Sequence, residues 1–363
     1  ACMLTWGAFN IVGGPKHARK RLEKAQEEMV AKAEAEIRKL GIEDDGQGWR
    51  GKIYLYCNEI RCPETGWLVP MLPNRTLNKA RSIVLELVPD TTNQRYDIAI
   101  KTRVSAADMA KAREGTVRSD GRGQDPYLFH TVNGKEYKTK LSTLRGDYRT
   151  SDGTVGSKLR LWDKRDFIPS PTDIFQERLY AIQWMRPSKS GRGEEYEVRS
   201  VSESDWKRER IVESYISEHL ADWQTKGWVP DMRIEPGYNT DQPIRERGWT
   251  YWHHLFNPRQ LLVGALLNQF SDAQLKLGFA RVLNCNSRLS RFTIGGSGAA
   301  MVTGAFDNQA LNTLINYGCR GMRYALDIAD GDYKSFELDP AVTQKISCHS
   351  AEKLAVTNDV YVT

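Results

Sequence analysis

Cys57 and Cys62, with four residues between them, lie at the end of a β-like run, and Pro63-Glu64-Thr65-Gly66 follows. A zinc knuckle needs Cys-x-x-Cys-Gly, so that two thiolates converge from one tight turn, and a second such pair to close the tetrahedron. Thr65 takes the place of the second cysteine and no later Cys pair exists, so zinc is not expected and a metal-free turn is the plainer reading. His253-His254 has the chemistry of a metal or acid-base pair. No Cys, Asp or Glu stands at ligand spacing, so a packed, hydrogen-bonded pair is expected instead. There is no Gly-x-Ser-x-Gly nucleophile elbow, no phosphate loop ending in Lys-Ser/Thr, and no complete Gly-x-Gly-x-x-Gly. No catalytic residue is assigned.

Recognition chemistry is better represented. Arg259 and Gln260 follow Asn257-Pro258 in the first turn of a helix, where free N–H groups and the positive dipole end favour an anion. Asn286, Arg288 and Arg291 lie toward another helix end, and Asn308 and Gln309 open a third. Asn, Gln and Arg carry the paired donors and acceptors that match adenine and guanine edges. The structural alternative is that the amides cap helices while the arginines pair with acids.

Charge is uneven along the chain. Residues 101–165 hold fifteen basic and eight acidic side chains, a surplus of seven, against +6 for the whole chain, so the remainder is near neutral. Within this block Lys135, Lys138, Lys140, Arg145 and Arg149 are the candidates for gripping phosphates. A second basic run over 278–325 includes Arg281, Arg288, Arg291, Arg320 and Arg323, opposed by Asp307 alone.

The elements that would position these groups follow from periodicity. Ala18, Leu22, Ala25, Met29, Ala33, Ile37 and Leu40 recur at helical spacing over 15–40, and Gly41 stops the helix. Short β-like runs cover 52–57, 83–88 and 96–100. A capping box at Ser105 opens a short helix, and Asn133-Gly134 joins the strands 127–132 and 135–141 in a type I′ hairpin. Residues 115–125 and 186–195 read as exposed loops. Ser202 with Asp205 caps a helix that Gly227 ends, and the Pro- and Gly-rich stretch 228–250 reads as a linker or wrapped loop. Asn257-Pro258 opens a helix to 270, and Ser271 to Gln274 opens another to about Arg291. Gly295 to Gly298 reads as a hinge, a helix as spanning 307 to 328, and 344–348 and 359–362 as strands.

The chain has 363 residues, 40% hydrophobic and 27% charged, with ten Trp, fifteen Tyr and ten Phe, which excludes a disordered chain. No run approaches a membrane span, no leader opens the sequence, and the six cysteines are sparse; a soluble, cytoplasmic protein is expected.

Several stretches, in order, resemble the prokaryotic adenine-specific DNA methyltransferases that carry a zinc ribbon. They are Tyr54-Leu-Tyr56 with Ile60-Arg-Cys-Pro63, Val69-Pro-Met-Leu72, Thr250 to Leu262, Asn286-Ser-Arg-Leu289, and Phe306 to Asn312. The resemblance implies that the Gly-rich loop holding S-adenosylmethionine precedes Ala1. It also implies that Asn358 to Thr363 runs into the catalytic Asp-Pro-Pro-Tyr just beyond the chain, which is then a central fragment, inactive alone. The family's Cys-Pro-x-Cys-Gly is here Cys62-Pro63-Glu64-Thr65-Gly66, and its second knuckle is replaced by cysteine-free sequence such as Tyr148 to Gly153.

The implied fold class is α/β, an incomplete Rossmann-like methyltransferase sheet with a mixed α+β insertion. Residues 1–45 would be catalytic-domain helices, and 46–200 a β-rich insertion with a degenerate zinc ribbon and the basic block. Residues 201–335 would be helical, and 336–363 catalytic-domain strands. The implied partners are DNA, S-adenosylmethionine in the full-length protein, and defence-system proteins, with no membrane. The alternatives are a non-catalytic nucleic-acid-binding module derived from an eroded zinc ribbon, and a scaffold whose basic block binds an acidic partner.

Overall fold

The computed structural model describes residues 7–9, 13–119, 126–238, 240–272, 275–296, 299–305, 311 and 313–329. In chain order the elements are α1 (Lys16–Leu40), β1 (Arg50–Arg61), β2 (Leu68–Pro70), β3 (Thr76–Asn78), β4 (Ile83–Asp90), β5 (Arg95–Lys101), α2 (Ala106–Lys111), β6 (Val117–Arg118), β7 (Tyr127–Val132), β8 (Lys135–Lys140), α3 (Leu141–Arg145), β9 (Tyr148–Arg149) and β10 (Val155–Gly156). They continue with β11 (Phe175–Pro187), β12 (Glu194–Ser200), α4 (Glu203–Thr225), α5 (Asp241–Arg247), α6 (Pro258–Phe270), α7 (Lys276–Asn284), β13 (Phe292–Ile294), β14 (Ala300–Val302), β15 (Tyr317–Arg320) and α8 (Met322–Ala329). No helix among the described residues is long and apolar enough to cross a membrane.

The architecture is mixed α/β around one mixed sheet. Its order is β12-β11-β1-β2-β5-β4-β3, with β15 also paired to β1. Every pair is antiparallel except β2 with β5. β1 is buried along almost its whole length because both of its faces are covered. Alternation sends Ile53, Leu55 and Cys57 into one core cluster, and Tyr54 and Tyr56 into another with Tyr317 and Cys319. Beside the sheet, α6 is buried over Pro258–Leu267 and forms the centre of a helical cluster with α1, α4 and α8. A helix apolar on all sides needs such wrapping, and its neighbours supply single stripes: Leu22, Met29, Ala33 and Ile37 from α1, and Val212, Ile216, Leu220 and Trp223 from α4.

Local signals hold where the hydrogen bonds that make them are local. Gly41 ends α1 in the left-handed region at φ 63°, and Ser202 with Asp205 forms a reciprocal box at the start of α4. Asn133 and Gly134, at φ 51° and 77°, join β7 to β8 as a type I′ turn requires.

Several expectations are corrected. The helix expected to reach Arg291 ends at Asn284, because the side chains after it compete for backbone groups: Ser290 Oγ accepts from Ser287 N and Ser287 Oγ from Leu289 N. The expected helix over 307–328 is β15 followed by the shorter α8; Gly321 sits where a Cβ would approach Gly51 O to 2.4 Å, so only glycine lets β15 close on β1 and turn into α8. Around Gly295 the chain forms the β13–β14 hairpin rather than a hinge between helices. The stretch 228–250 contains α5, and Val229, Ile234 and Trp249 within it are buried, so it is a packed segment. The loop expected over 186–195 is shorter, since β11 runs to Pro187 and β12 starts at Glu194. The strands expected at 344–348 and 359–362, and the opening of the helix at 307, lie outside the described residues. Regions 46–200 and 201–335 share one sheet, since β15 pairs with β1.

Candidate nucleic-acid interface

Strands β6, β7 and β8 form a separate three-stranded sheet. Register places Arg118 opposite Tyr127, Tyr127 opposite Lys140, and Phe129 opposite Lys138. Opposed residues and their i+2 neighbours share a face, so Arg118, Tyr127, Phe129, Lys138 and Lys140 stand together. The contacts agree. Lys138 Nζ lies 4.2 Å and Lys140 Nζ 5.6 Å from the Tyr127 ring centroid, and the Arg118 guanidinium is 3.9 Å from that of Phe129. Arg118 also pairs with Glu114 and Glu136, which holds it in place. The reverse face carries Leu128 into the core and stacks His130 on Tyr137, with Lys135 over Tyr137 at 4.7 Å. Lys135 is therefore on the opposite face from Lys138 and Lys140.

The remaining basic candidates divide. Arg145 is held by both oxygens of Asp147, with 11% of its side chain exposed, and so is structurally committed. Arg149 is exposed on β9.

The polar set assigned to base reading is largely internal. Arg288 is 2% exposed. Its Nε and Nη2 bind both oxygens of Glu177, Nη2 also donates to Phe167 O at 2.9 Å, and Nη1 donates to His254 O at 2.7 Å and Phe256 O at 2.5 Å. Glu177 Oε2 also accepts from Tyr317 OH at 2.8 Å. The guanidinium holds Glu177 well ionised against its burial. Arg259, 4% exposed, donates from Nε to Glu209 and from Nη2 to Ile42 O, with its guanidinium 3.8 Å from the Tyr54 centroid. Asn286 Oδ1 accepts from Arg320 N at 2.8 Å. Gln260 completes the α6 capping box with Asn257 and borders a small neutral cavity of about 230 Å³. For these four residues the expected base-edge contacts are corrected to an internal network, since their donors and acceptors are turned inward. Arg291 is exposed, and Asn308 and Gln309 lie outside the described residues.

Near this network Glu213 of α4 is half-buried. Burial first, then the carboxylates of Glu209 and Glu177, push its carboxyl up to about 7, with Arg210 opposing. A carboxyl raised in the folded state stabilises below its unfolded pKa near 4.5, and that contribution is lost as pH rises toward 7. Glu213→Gln should therefore raise stability at pH 8 by about 1–2 kcal/mol, allowing for solvent screening, and change it little at pH 4.5. Thermal melts at the two pH values check this; equal shifts at both would refute it.

The histidine pair is structural, as its surroundings suggested. His253 Nε2 lies 3.2 Å from Asp166 O and His254 Nε2 3.0 Å from Asp163 O, while His254 Nδ1 accepts from Thr250 N and Tyr251 N. Cys57 and Cys62 belong to different core clusters, so their thiols do not converge. The stretch after Cys62 forms a tight turn: Gly66 N donates to Cys62 O and Cys62 N to Trp67 O, both at 2.8 Å, with Gly66 at φ 75°. Thr65 Oγ1 meets His130 Nε2 at 3.4 Å. Among the described residues no group of three His, Cys, Asp or Glu could hold a metal, and this donor set does not fit zinc.

Sequence reasoning missed Arg118, Tyr127 and Phe129. The type I′ turn, once recognised, fixes the β7–β8 register and so pairs Tyr127 and Phe129 with Lys140 and Lys138; that signal was available. Glu177 and Glu209, which engage the arginines, carried no local signal. No family model, curated protein or solved structure matches this chain.

Proposed function

We propose that the chain is the DNA-recognition part of an S-adenosylmethionine-dependent adenine-N6 DNA methyltransferase, gripping nucleic acid with the Lys138/Lys140 face of β6–β8. The observation that carries nucleic-acid binding is that face itself, where Arg118, Lys138 and Lys140 surround Tyr127 and Phe129. Lys138 and Lys140, exposed on this face, would bind the phosphate backbone, and the half-buried Tyr127 ring offers a stacking surface, whereas Phe129 is buried and Arg118 is already paired with Glu114 and Glu136. The methyltransferase assignment is supported by the ordered motif resemblance. On this reading the observed sheet, nearly all antiparallel, belongs to the inserted recognition region. In such an enzyme S-adenosylmethionine would supply the methyl group. The nearly all-antiparallel pairing equally favours a second reading, a non-catalytic nucleic-acid-binding module.

Fluorescence anisotropy with labelled duplex DNA from about 50 to 200 mM salt tests the shared part. Affinity should fall steeply with salt. Lys138→Ala/Lys140→Ala, at exposed positions, should weaken binding about tenfold and flatten the log–log salt slope by about 1 to 2. Salt-independent binding, or an unchanged slope in the double variant, would overturn nucleic-acid recognition by this face. Methyl incorporation from labelled cofactor by the product of the complete reading frame, with none by this chain alone, separates the enzyme from the module.

A further inference from the structure

The β9–β10 hairpin presents a face that the core does not use. Register pairs Tyr148 with Gly156 and Arg149 with Val155. The two chains stay together at both ends of this pairing, where Thr150 N donates to Thr154 O at 2.9 Å and Lys158 N to Arg145 O at 3.0 Å. Tyr148 therefore shares one face with Gly156 opposite it and with Thr150 and Thr154 toward the tip. Glycine lets the side chains of this face lie flat on the backbone. A Cβ on Gly156 would meet Tyr148 Cζ at 2.5 Å, so the ring covers that glycine. Lys158 follows two residues after Gly156, and its stem lies against Gly146, where a Cβ would meet Lys158 Cβ at 3.0 Å. The ring and the ammonium stem thus lie side by side.

Both groups are open to solvent and uncommitted. Tyr148 is 48% exposed, and since one side of its ring rests on Gly156, the other side meets water. Lys158 is exposed and pairs with no acid among the described residues. The nearby carboxylates are already engaged: both oxygens of Asp147 hold Arg145, and Asp152 at the tip accepts from Thr150 Oγ1 and Thr154 N. The hairpin is also firmly mounted. Asp147 N donates to Ser142 O at 2.9 Å, which ties it to α3, and α3 begins directly after Lys140 of the basic face. A tyrosine that leaves half its surface in water adds little to the core, whereas a flat partner laid on its open side would remove that apolar area from water.

We infer that this hairpin binds an unpaired nucleotide, with the base stacked on the open side of Tyr148 and the adjoining phosphate held by Lys158. A base inside a duplex has both faces covered by its neighbours, so a surface ring can stack only on a base that is single-stranded or turned out of the helix. An acidic peptide would satisfy Lys158 yet offer the ring no flat surface. A point charge takes a phosphate in any orientation and a ring takes any base, so the hairpin selects unpaired strand rather than sequence. The inference rests on the nucleic-acid reading and narrows its substrate: Lys138 and Lys140 grip the backbone of either form, and the hairpin distinguishes unpaired from paired.

The test titrates the full chain with three labelled ligands: a single-stranded oligonucleotide, the same strand with abasic sites, and the duplex. The intact single strand should bind about tenfold tighter than the abasic one. Tyr148→Ala should erase that difference while leaving duplex and abasic binding unchanged, and Tyr148→Phe, which keeps the stacking surface, should retain it. Lys158→Ala should weaken both single strands alike and lower the log–log salt slope by about 0.7. Tyr148 and Lys158 are exposed, so equal melting temperatures of the variants and the parent would show that folding is not what changed. Equal binding of intact and abasic strands, or a preference that survives Tyr148→Ala, overturns the hairpin while duplex binding that needs Lys138 and Lys140 leaves the β6–β8 face standing. Tyr148-dependent binding of single strands that is indifferent to Lys138→Ala/Lys140→Ala does the reverse, and no binding of any of the three ligands overturns both.

Discussion

Arg288→Met should destabilise the protein by about 3–5 kcal/mol, read as a fall in the urea midpoint with little change in slope. The arginine is 2% exposed and neutralises Glu177 at close range, so its loss leaves a buried carboxylate with Tyr317 OH as its remaining close donor. Removing one member of a buried pair costs more than the pair contributes, because the surviving charge stays desolvated. Adding Glu177→Leu separates the contributions. For an isolated ion pair the apolar double variant should recover most of the loss. Here Arg288 also satisfies the carbonyls of His254, Phe256 and Phe167, and those acceptors stay unmet in the double variant. Recovery should therefore be partial, with about 1–3 kcal/mol still missing. Full recovery would show that the carbonyl contacts contribute nothing; a single-variant loss below about 1 kcal/mol would show that the network is incidental.

Acid should weaken the protein from pH 6.5 downward, above the range in which ordinary exposed carboxylates titrate. Burial depresses His253 to about 4 and His254 to about 2, the latter also through its histidine neighbour. A histidine whose folded pKa lies below the unfolded value near 6.5 contributes stability that is present above 6.5 and lost as pH falls, since the unfolded chain takes up the proton first. A tenfold difference in proton affinity between the folded and unfolded chain is worth about 1.4 kcal/mol, so the two rings together should remove on the order of 5 kcal/mol between pH 6.5 and 4. Urea unfolding at steps across that range measures the slope. His254→Asn offers an amide oxygen to Thr250 N and Tyr251 N in place of Nδ1, and should flatten the slope whatever its stability at pH 7. A slope unchanged in that variant would remove the histidines as its cause.

The first of these predictions concerns a residue whose role the sequence disguised, whereas the histidine pair is what its neighbours in the sequence led one to expect. Arg288 in Asn286-Ser-Arg-Leu289 has the same donors whether it meets a guanine edge or a carboxylate, and the choice is made by Glu177, 111 residues earlier. Features read correctly carry their partner nearby: Asn257 with Gln260, Ser202 with Asp205, Asn133 beside Gly134. The failures share one cause. Residues 317–320 look helical in isolation, and their strand conformation comes from pairing with Ile53 to Tyr56. A charge count over 101–165 likewise identifies a basic block, yet only β-sheet register distinguishes Lys138 and Lys140 from Lys135, and only the Asp147 contact shows that Arg145 is occupied.

The attachment of β15 to β1 also determines when the sheet is completed during synthesis. Asn58 N donates to Asn316 Oδ1 across 258 residues, and the Ile53–Tyr56 edge has no strand partner on that side until Tyr317–Arg320 arrives. At roughly 5–20 residues per second a ribosome takes on the order of tens of seconds to supply it. Throughout that interval a strand rich in tyrosine and isoleucine presents open backbone groups, the kind of edge that pairs with other chains. High yield of folded protein should therefore depend on slow, dilute or chaperone-assisted expression, and a chain ending before Tyr317 should accumulate as aggregate rather than as a smaller folded unit.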